Sequence, residues 1–272
     1  MKHFLKSIQR FLIDRPLRPG ILIKNRYKID RVLGMGSYGI TYLAKDQKFE
    51  TQVVVKQLRK TKQKLEQGRR AFEYEKKILA RIDHPQVPRL LDVEESSAGF
   101  FIIMDYINGK TFEDLIFEHH HKYKEKDVVQ ILLQVIEVIQ FLHHEGIVHR
   151  DLRIPNILKV GDVIYIIDFG LARFIGDDER VEGLVTEQQY MRRTTVQSDV
   201  YALGHFALFL LYSGYKPTSR KEKSWEEELL LSSELTAIIR KMLQTDDFYK
   251  DIMQLKGDLQ FLVDKNMKSL NW

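Results

Sequence analysis

The chain has 272 residues, enough for one domain of two lobes and little more. It contains no cysteine, which excludes a disulfide framework or a cysteine-ligated zinc site and fits a reducing compartment. The net charge of +5 is a mild excess, no apolar run reaches membrane-spanning length, and neither a signal peptide nor an internal repeat is evident.

Met1 to Ile13 reads as a short amphipathic segment, with Phe4, Leu5, Ile8, Phe11 and Leu12 on one helical face and Lys2, Lys6 and Arg10 on the other. Arg15-Pro16 ends it. Docking on its own domain and peripheral attachment to a membrane both fit this pattern. Next comes Leu33-Gly34-Met35-Gly36-Ser37-Tyr38-Gly39, a G-x-G-x-x-G sequence. Apolar alternation continues directly through Ile40, Tyr42 and Ala44, so the glycines form a turn between two strands and not a strand-to-helix turn. A dinucleotide fold also requires an acidic ribose ligand about twenty residues further on. Val53-Val54-Val55-Lys56 stands there instead, a β-branched strand ending on a lysine. The basic run Arg59-Lys60-Thr61-Lys62-Gln63-Lys64, with Arg69-Arg70, reads first as a solvated face and second as a site for an acidic partner or anionic lipid. Aromatic residues do not interleave with it, so nucleic acid is not expected as a partner. Ala71, Phe72, Ile78 and Leu79 then recur at helical spacing.

Phe100-Phe101-Ile102-Ile103-Met104 predicts a buried strand. His119-His120-His121 invites a metal reading, but consecutive helical histidines diverge and no carboxylate pattern completes a site, so a solvated surface is expected. Asp127 to His144 predicts a long amphipathic helix carrying Val128, Ile131, Leu132, Val135, Val138, Ile139 and Leu142. It leads into His149-Arg150-Asp151-Leu152-Arg153-Ile154-Pro155-Asn156. Ile157 to Ile164 predicts a hairpin with a Gly161-Asp162 turn. The apolar run Val163 to Ile167 puts Asp168, of Asp168-Phe169-Gly170, at the rim of a buried strand. Asp151 can accept a proton from an attacking hydroxyl, and Asn156 and Asp168 are oxygen ligands suited to Mg²⁺. Ser198-Asp199 reads as the cap and first-turn carboxylate of a further helix.

These motifs, in this order, resemble the eukaryotic-type (Hanks-type) protein kinases, and most of all the small bacterial serine/threonine kinases. The resemblance spans roughly residues 26–255 and implies an α+β, two-lobed fold. Residues 1–25 would be a basic extension, residues 26–104 a β-rich N-lobe, and residues 105–272 the hinge and a mainly helical C-lobe. ATP and Mg²⁺ are the implied cofactors. Leu33, Gly34, Met35, Gly36, Ser37, Tyr38 and Gly39 would cover the phosphates, and Lys56 would hold them. Glu75 would orient Lys56, with Glu73 as runner-up. Thr41, Val54 and the gatekeeper Met104 would line the adenine site, which the backbone of Asp105 and Ile107 would edge and Leu158 would floor. Asp151 would receive the substrate hydroxyl, Arg153 would add a fixed cation, Asn156 and Asp168 would bind the metal, and Asp199 would hold the catalytic-loop backbone. The implied activity is transfer of the γ-phosphoryl group to serine or threonine hydroxyls of proteins, this one included, in the cytoplasm.

The sequence departs from the family at several points. Thr41 replaces a valine, Val54 an alanine, and Arg153 the lysine usual in serine/threonine kinases, an arginine that some tyrosine kinases carry. Val185-Thr186-Glu187-Gln188 lacks the usual proline, and Lys250 stands for the arginine that pairs with Glu187. Residues 171–185 contain no Ser, Thr or Tyr, so that loop cannot be switched by phosphorylation; Asp177, Asp178 and Glu179 either supply permanent charge there or form a plain acidic loop. Two other readings stay open: a pseudokinase acting as a binding scaffold, and a small-molecule kinase of the same superfamily.

Overall fold

The structure, a computed structural model, describes residues 13–177, 190–217, 221 and 223–268. The chain divides into two compact units, Met1–Ile107 and Asn108–Trp272.

The first unit is a six-stranded antiparallel sheet with order β1-β2-β3-β4-β6-β5. Its strands are β1 (Leu22–Ile23), β2 (Tyr27–Met35), β3 (Gly39–Asp46), β4 (Thr51–Leu58), β5 (Leu90–Ser96) and β6 (Gly99–Asp105). The strict period of two in the sequence sorts side chains onto two faces. Ile40, Tyr42 and Ala44 of β3, Val53 and Val55 of β4, and Phe101 and Ile103 of β6 join Tyr27 and Ile29 in one buried cluster. The opposite face carries Thr41, Val54, Lys56, Ile102 and Met104, and the register sets Thr41 beside Lys56 and Val54 beside Met104. Two helices follow β4: α1 (Lys60–Gln63) and α2 (Glu66–Arg81). The expected helix is thus present, and it packs on the Lys56 face, where Phe72 meets Phe100 edge-to-face at 5.5 Å between ring centroids. Residues 13–25 belong to this unit; Leu17 packs against the cluster and its N–H donates to the Tyr42 hydroxyl.

The second unit is mainly helical. Its helices are α3 (Phe112–Phe117), α4 (Glu125–His144), α5 (Val196–Tyr212), α6 (Trp225–Glu228), α7 (Ser233–Met242) and α8 (Ile252–Lys268). In α4 every residue of the sequence-derived apolar stripe is buried, and α5 and α8 pack against it. Short strands complete the unit: β7 (Lys110–Thr111), β8 (Ile147–Val148), β9 (Ile157–Val160), β10 (Val163–Ile166) and β11 (Arg173–Phe174). β9 and β10 form the expected hairpin, Val160 pairing with Val163 across a turn in which Gly161 has φ 59°. β11 pairs with β8, so the start of the segment after Asp168 is tied to the strand that leads into the catalytic loop. His119, His120 and His121 are exposed, and no group of three or more His, Cys, Asp or Glu able to hold a metal occurs among the described residues. No helix among them is long and apolar enough to cross a membrane.

Candidate active site

The candidate residues form two sets, one in each unit. In the first unit the glycine-rich turn joins β2 to β3, closed by a hydrogen bond from the Gly36 N–H to the Gly39 carbonyl at 2.9 Å. Gly39 is needed for close approach: a Cβ there would lie 3.0 Å from the Gln57 carbonyl oxygen. Leu33, Met35, Gly36 and Ser37 are exposed along the turn. Lys56 points to the α2 side of the sheet and donates to Glu75 at 2.5 Å. Glu75 is buried among apolar residues of α2, so the ion pair is what allows a carboxylate there. Glu73 pairs with Lys76 instead, so Glu75 is the partner of Lys56. Thr41, Val54 and Met104 share the Lys56 face, and Met104 is the most deeply buried of the three. The Asp105 N–H is taken by the Arg89 carbonyl at 3.1 Å, so an adenine contact at this residue would run through its own carbonyl. Ile107 is the last residue of this unit.

In the second unit the centre is Asp151, 7 % exposed. Its Oδ1 and Oδ2 accept from Nε and Nη2 of Arg153 at 2.8 and 3.0 Å, a two-bond fork that a lysine could not make. The same bond is the main reason the Arg153 guanidinium is held above its usual pKa. Asn156, in a 3₁₀ turn begun by Ile154-Pro155, donates Nδ2 to the Asp151 carbonyl at 2.9 Å and to Oδ2 at 2.8 Å. With its NH₂ so engaged, Asn156 turns Oδ1, the acceptor that a hard cation needs, away from Asp151. Arg192 donates to the Arg150 carbonyl at 3.2 Å and lies 3.8 Å from Asp151.

The backbone around these groups is strained. Arg150 has φ 66° and Asp168 φ 62°, a left-handed conformation that costs a side-chain-bearing residue about 1–3 kcal/mol. Asp199, in the first turn of α5 and wholly buried, offsets that cost: it accepts the N–H of Arg150 at 2.7 Å, the N–H of His149 at 2.9 Å and Nε2 of His143 at 2.9 Å. Burial alone would raise its pKa; the bond from His143 and the backbone donors outweigh it, and the carboxyl is held below its ordinary value. Asp168 is exposed, and its Oδ1 accepts the Gly170 N–H at 3.2 Å. Phe169 is buried against the His149 ring at 4.8 Å between centroids. Leu158 is buried on β9.

Lys56 and Glu75 are thus brought together, as are Asp151, Arg153 and Asn156. Three contributors lack any signal in local periodicity: His143, Arg192, and Gly68 of α2, where a Cβ would lie 2.2 Å from the Lys62 carbonyl oxygen. The Glu187 pairing, Thr186, and Asp178 and Glu179 of the acidic loop lie outside the described residues, as do residues 1–12.

The protein kinase domain family matches residues 27–267. The chain is 36% identical over 255 residues to the Bacillus subtilis (strain 168) protein named "Probable serine/threonine-protein kinase YbdM", covering 94% of this chain and 96% of that one. It is 32% identical over 209 residues to serine/threonine-protein kinase PrkC of the same organism, covering 73% of this chain and 32% of that one. A crystal structure of the Mycobacterium tuberculosis PknI kinase domain superposes with a TM-score of 0.69 at 21% identity, covering 90% of this chain and 99% of that one, which shows the shared fold.

Proposed function

The chain belongs to the protein kinase domain family and is a serine/threonine protein kinase, and we propose that it transfers the γ-phosphoryl group of ATP, with Mg²⁺, to protein hydroxyls, its own among them. The observation that carries this reading is the setting of Asp151, a carboxylate fixed by Arg153 and Asn156 in a loop whose backbone Asp199 holds. Such a group can orient a hydroxyl and take its proton as the oxygen attacks. The donor set fits magnesium: an exposed Asp168 carboxylate and the Asn156 carbonyl are hard oxygen ligands. The metal, when bound, supplies charge neutralisation on the transferring phosphoryl group. Lys56, fixed by Glu75, would hold the nucleotide phosphates beneath the amides of Gly34 to Gly39. Arg153 would keep positive charge beside Asp151 during transfer.

A binding scaffold has no need of a complete Lys56–Glu75 pair and a complete Asp151 cluster, and both are present. A cytoplasmic location fits the absence of cysteine. The basic amphipathic stretch Met1–Ile13 supports peripheral contact with anionic lipid.

The test is Mg²⁺-dependent transfer of labelled γ-phosphate, comparing the wild type with Asp151→Asn on a generic protein substrate and on the chain itself. Label on serine or threonine, lost in the variant, is the expected result. Unchanged labelling in Asp151→Asn would overturn the assignment, and label appearing only on small metabolites would move it to a small-molecule kinase.

A further inference from the structure

The glycine-rich turn is gripped from outside the sheet by the segment that follows β4. The backbone N–H of Arg59 donates to the Tyr38 carbonyl at 2.9 Å, and its Nε donates to the Gly36 carbonyl at 2.8 Å. One turn on, the Lys62 ammonium lies 4.8 Å from the centroid of the Tyr38 ring. This gripping segment is weak in itself. α1 is four residues long, buries none of them, and has no side-chain cap of its own. A helix that short cannot hold its shape unaided.

Asp14 supplies what α1 lacks. Its Oδ1 accepts the Thr61 N–H at 3.0 Å, its Oδ2 accepts the Thr61 hydroxyl at 2.6 Å, and Nη1 of Arg59 lies 3.8 Å from Oδ2. The Asp14 side chain is 3 % exposed, so these bonds are made in a place where an unpaired carboxylate would be costly. Asp14 is itself pinned: three residues on, the Leu17 N–H donates to the Tyr42 hydroxyl, which donates to Gln57 on β4 beside Lys56. A solvent-open cleft of about 370 Å³, lined by Asp14, Gly36, Arg59 and Leu65 among others, lies beside the turn, so close packing does not fix the loop on that side. A few polar bonds set its height. Asp14 also lies before residue 27, where the family match begins.

We propose that Asp14 is a positioning residue for the glycine-rich loop, acting through Arg59 and Thr61. The inference rests on the kinase reading for its consequence: a loop held at the right height covers the nucleotide phosphates, so Asp14 governs nucleotide affinity and leaves the Asp151 chemistry alone.

The full-length protein tests this with Asp14→Ala, Asp14→Asn, Arg59→Gln and the Asp14→Ala/Arg59→Gln double variant. Because Asp14 acts on the loop only through its neighbours, its loss is felt there as about one ordinary hydrogen bond, about a fivefold to tenfold rise in KM for ATP, with kcat changed by less than about twofold. Asp14→Asn, which keeps an acceptor for Thr61, falls between wild type and Asp14→Ala. Because part of the effect of Asp14 runs through Arg59, the double variant falls short of the product of the two single effects. Unchanged KM in Asp14→Ala and Arg59→Gln, a fall in kcat at constant KM, or additive effects would each overturn the proposal. Should Asp14→Ala fail to fold, Arg59→Gln, whose side chain is partly exposed, decides the matter by the same criterion. Amide hydrogen exchange of residues 34–39 without nucleotide separates the two readings. If the wild type transfers no phosphate, the kinase reading falls, yet faster exchange in Asp14→Asn still upholds the positioning role. Unchanged exchange refutes it.

Discussion

Replacing Asp199 by asparagine keeps the shape of the side chain and inverts its hydrogen bonding on one side. The carboxylate accepts from three donors, two of them backbone N–H groups of the catalytic loop. Asparagine offers one acceptor oxygen and one NH₂, so the NH₂ must face a donor in a place with no access to water. One charge-assisted bond lost is worth about 1.5–3 kcal/mol, and one buried donor left unpaired about 1–3 kcal/mol. The left-handed Arg150, no longer held, gives back part of its strain of about 1–3 kcal/mol as the loop relaxes. The net expectation is a loss of about 3 kcal/mol, a large share of the roughly 5–15 kcal/mol that a domain possesses. The relaxed loop also carries Asp151 away from its set position, and displacement of about 1 Å costs about a hundredfold in rate. Urea unfolding and steady-state kinetics measure both. A variant within about 1 kcal/mol of wild type, with kcat within a factor of about three, would refute the idea that Asp199 holds this loop.

Removal of Asn156 tests the other side of the cluster: Asn156→Ala should lower kcat about a hundredfold and raise the Mg²⁺ concentration needed for half-maximal rate, and an unchanged Mg²⁺ dependence would remove Asn156 from the metal set. Two glycines give a paired stability test. Gly68→Ala puts a Cβ 2.2 Å from the Lys62 carbonyl and should destabilise by about 1–3 kcal/mol, whereas Gly257→Ala on α8 meets nothing within 4 Å and should stabilise by about 0.5–1 kcal/mol; equal effects in denaturant would refute the close-approach argument. Acid should unfold the protein through groups whose pKa folding lowers: Asp46, mainly through its bond from Arg26, Asp92, where bonds from Lys24 and Tyr27 outweigh burial, and Asp199. Their stabilisation is fully present above the unfolded carboxylate value of about 3.9 and is lost as pH falls through the lower folded values. Stability should therefore stay level from about pH 7 to 5 as far as these groups contribute, and drop below about pH 4, with a shallower drop in Asp46→Asn.

The elements that organise the fold were readable because their signals are local. The stripe of α4 from Val128 to Leu142 repeats at three and four residues, and all of it is buried. The alternation through Ile40, Tyr42 and Ala44 likewise defines the core face of β3, and by exclusion the face on which Thr41 lies. The family pattern named Glu75 over Glu73 as the partner of Lys56, and helical spacing agrees with it: Glu75 stands three or four residues from Ala71, Phe72, Ile78 and Leu79, and it is buried with the apolar stripe, whereas Glu73, two residues away, faces elsewhere. Asp199 had two compatible readings, helix-end carboxylate and anchor of the catalytic loop, and it fulfils both: it sits in the first turn of α5 and accepts the Arg150 N–H.

The contacts that escaped the sequence share a physical cause. His143 follows Leu142 on the amphipathic α4 and looks like the start of the polar face, yet its ring reaches Asp199, 56 positions away. Asp14 reads as an ordinary polar residue before Arg15-Pro16, and its partner Thr61 is 47 positions on. No period of 2 or 3.6 encodes a bond between elements so far apart; it exists only once the sheet has brought the chain back on itself. Such bonds also fix single groups and not faces: the Gly36 carbonyl and the Arg150 N–H each depend on one distant side chain. A motif therefore names the reacting groups, while the residues that aim them are chosen by the fold. For this chain the aim of the glycine-rich loop is set partly from Asp14, which no catalytic motif includes, and a nucleotide-affinity measurement on Asp14→Ala probes that dependence directly.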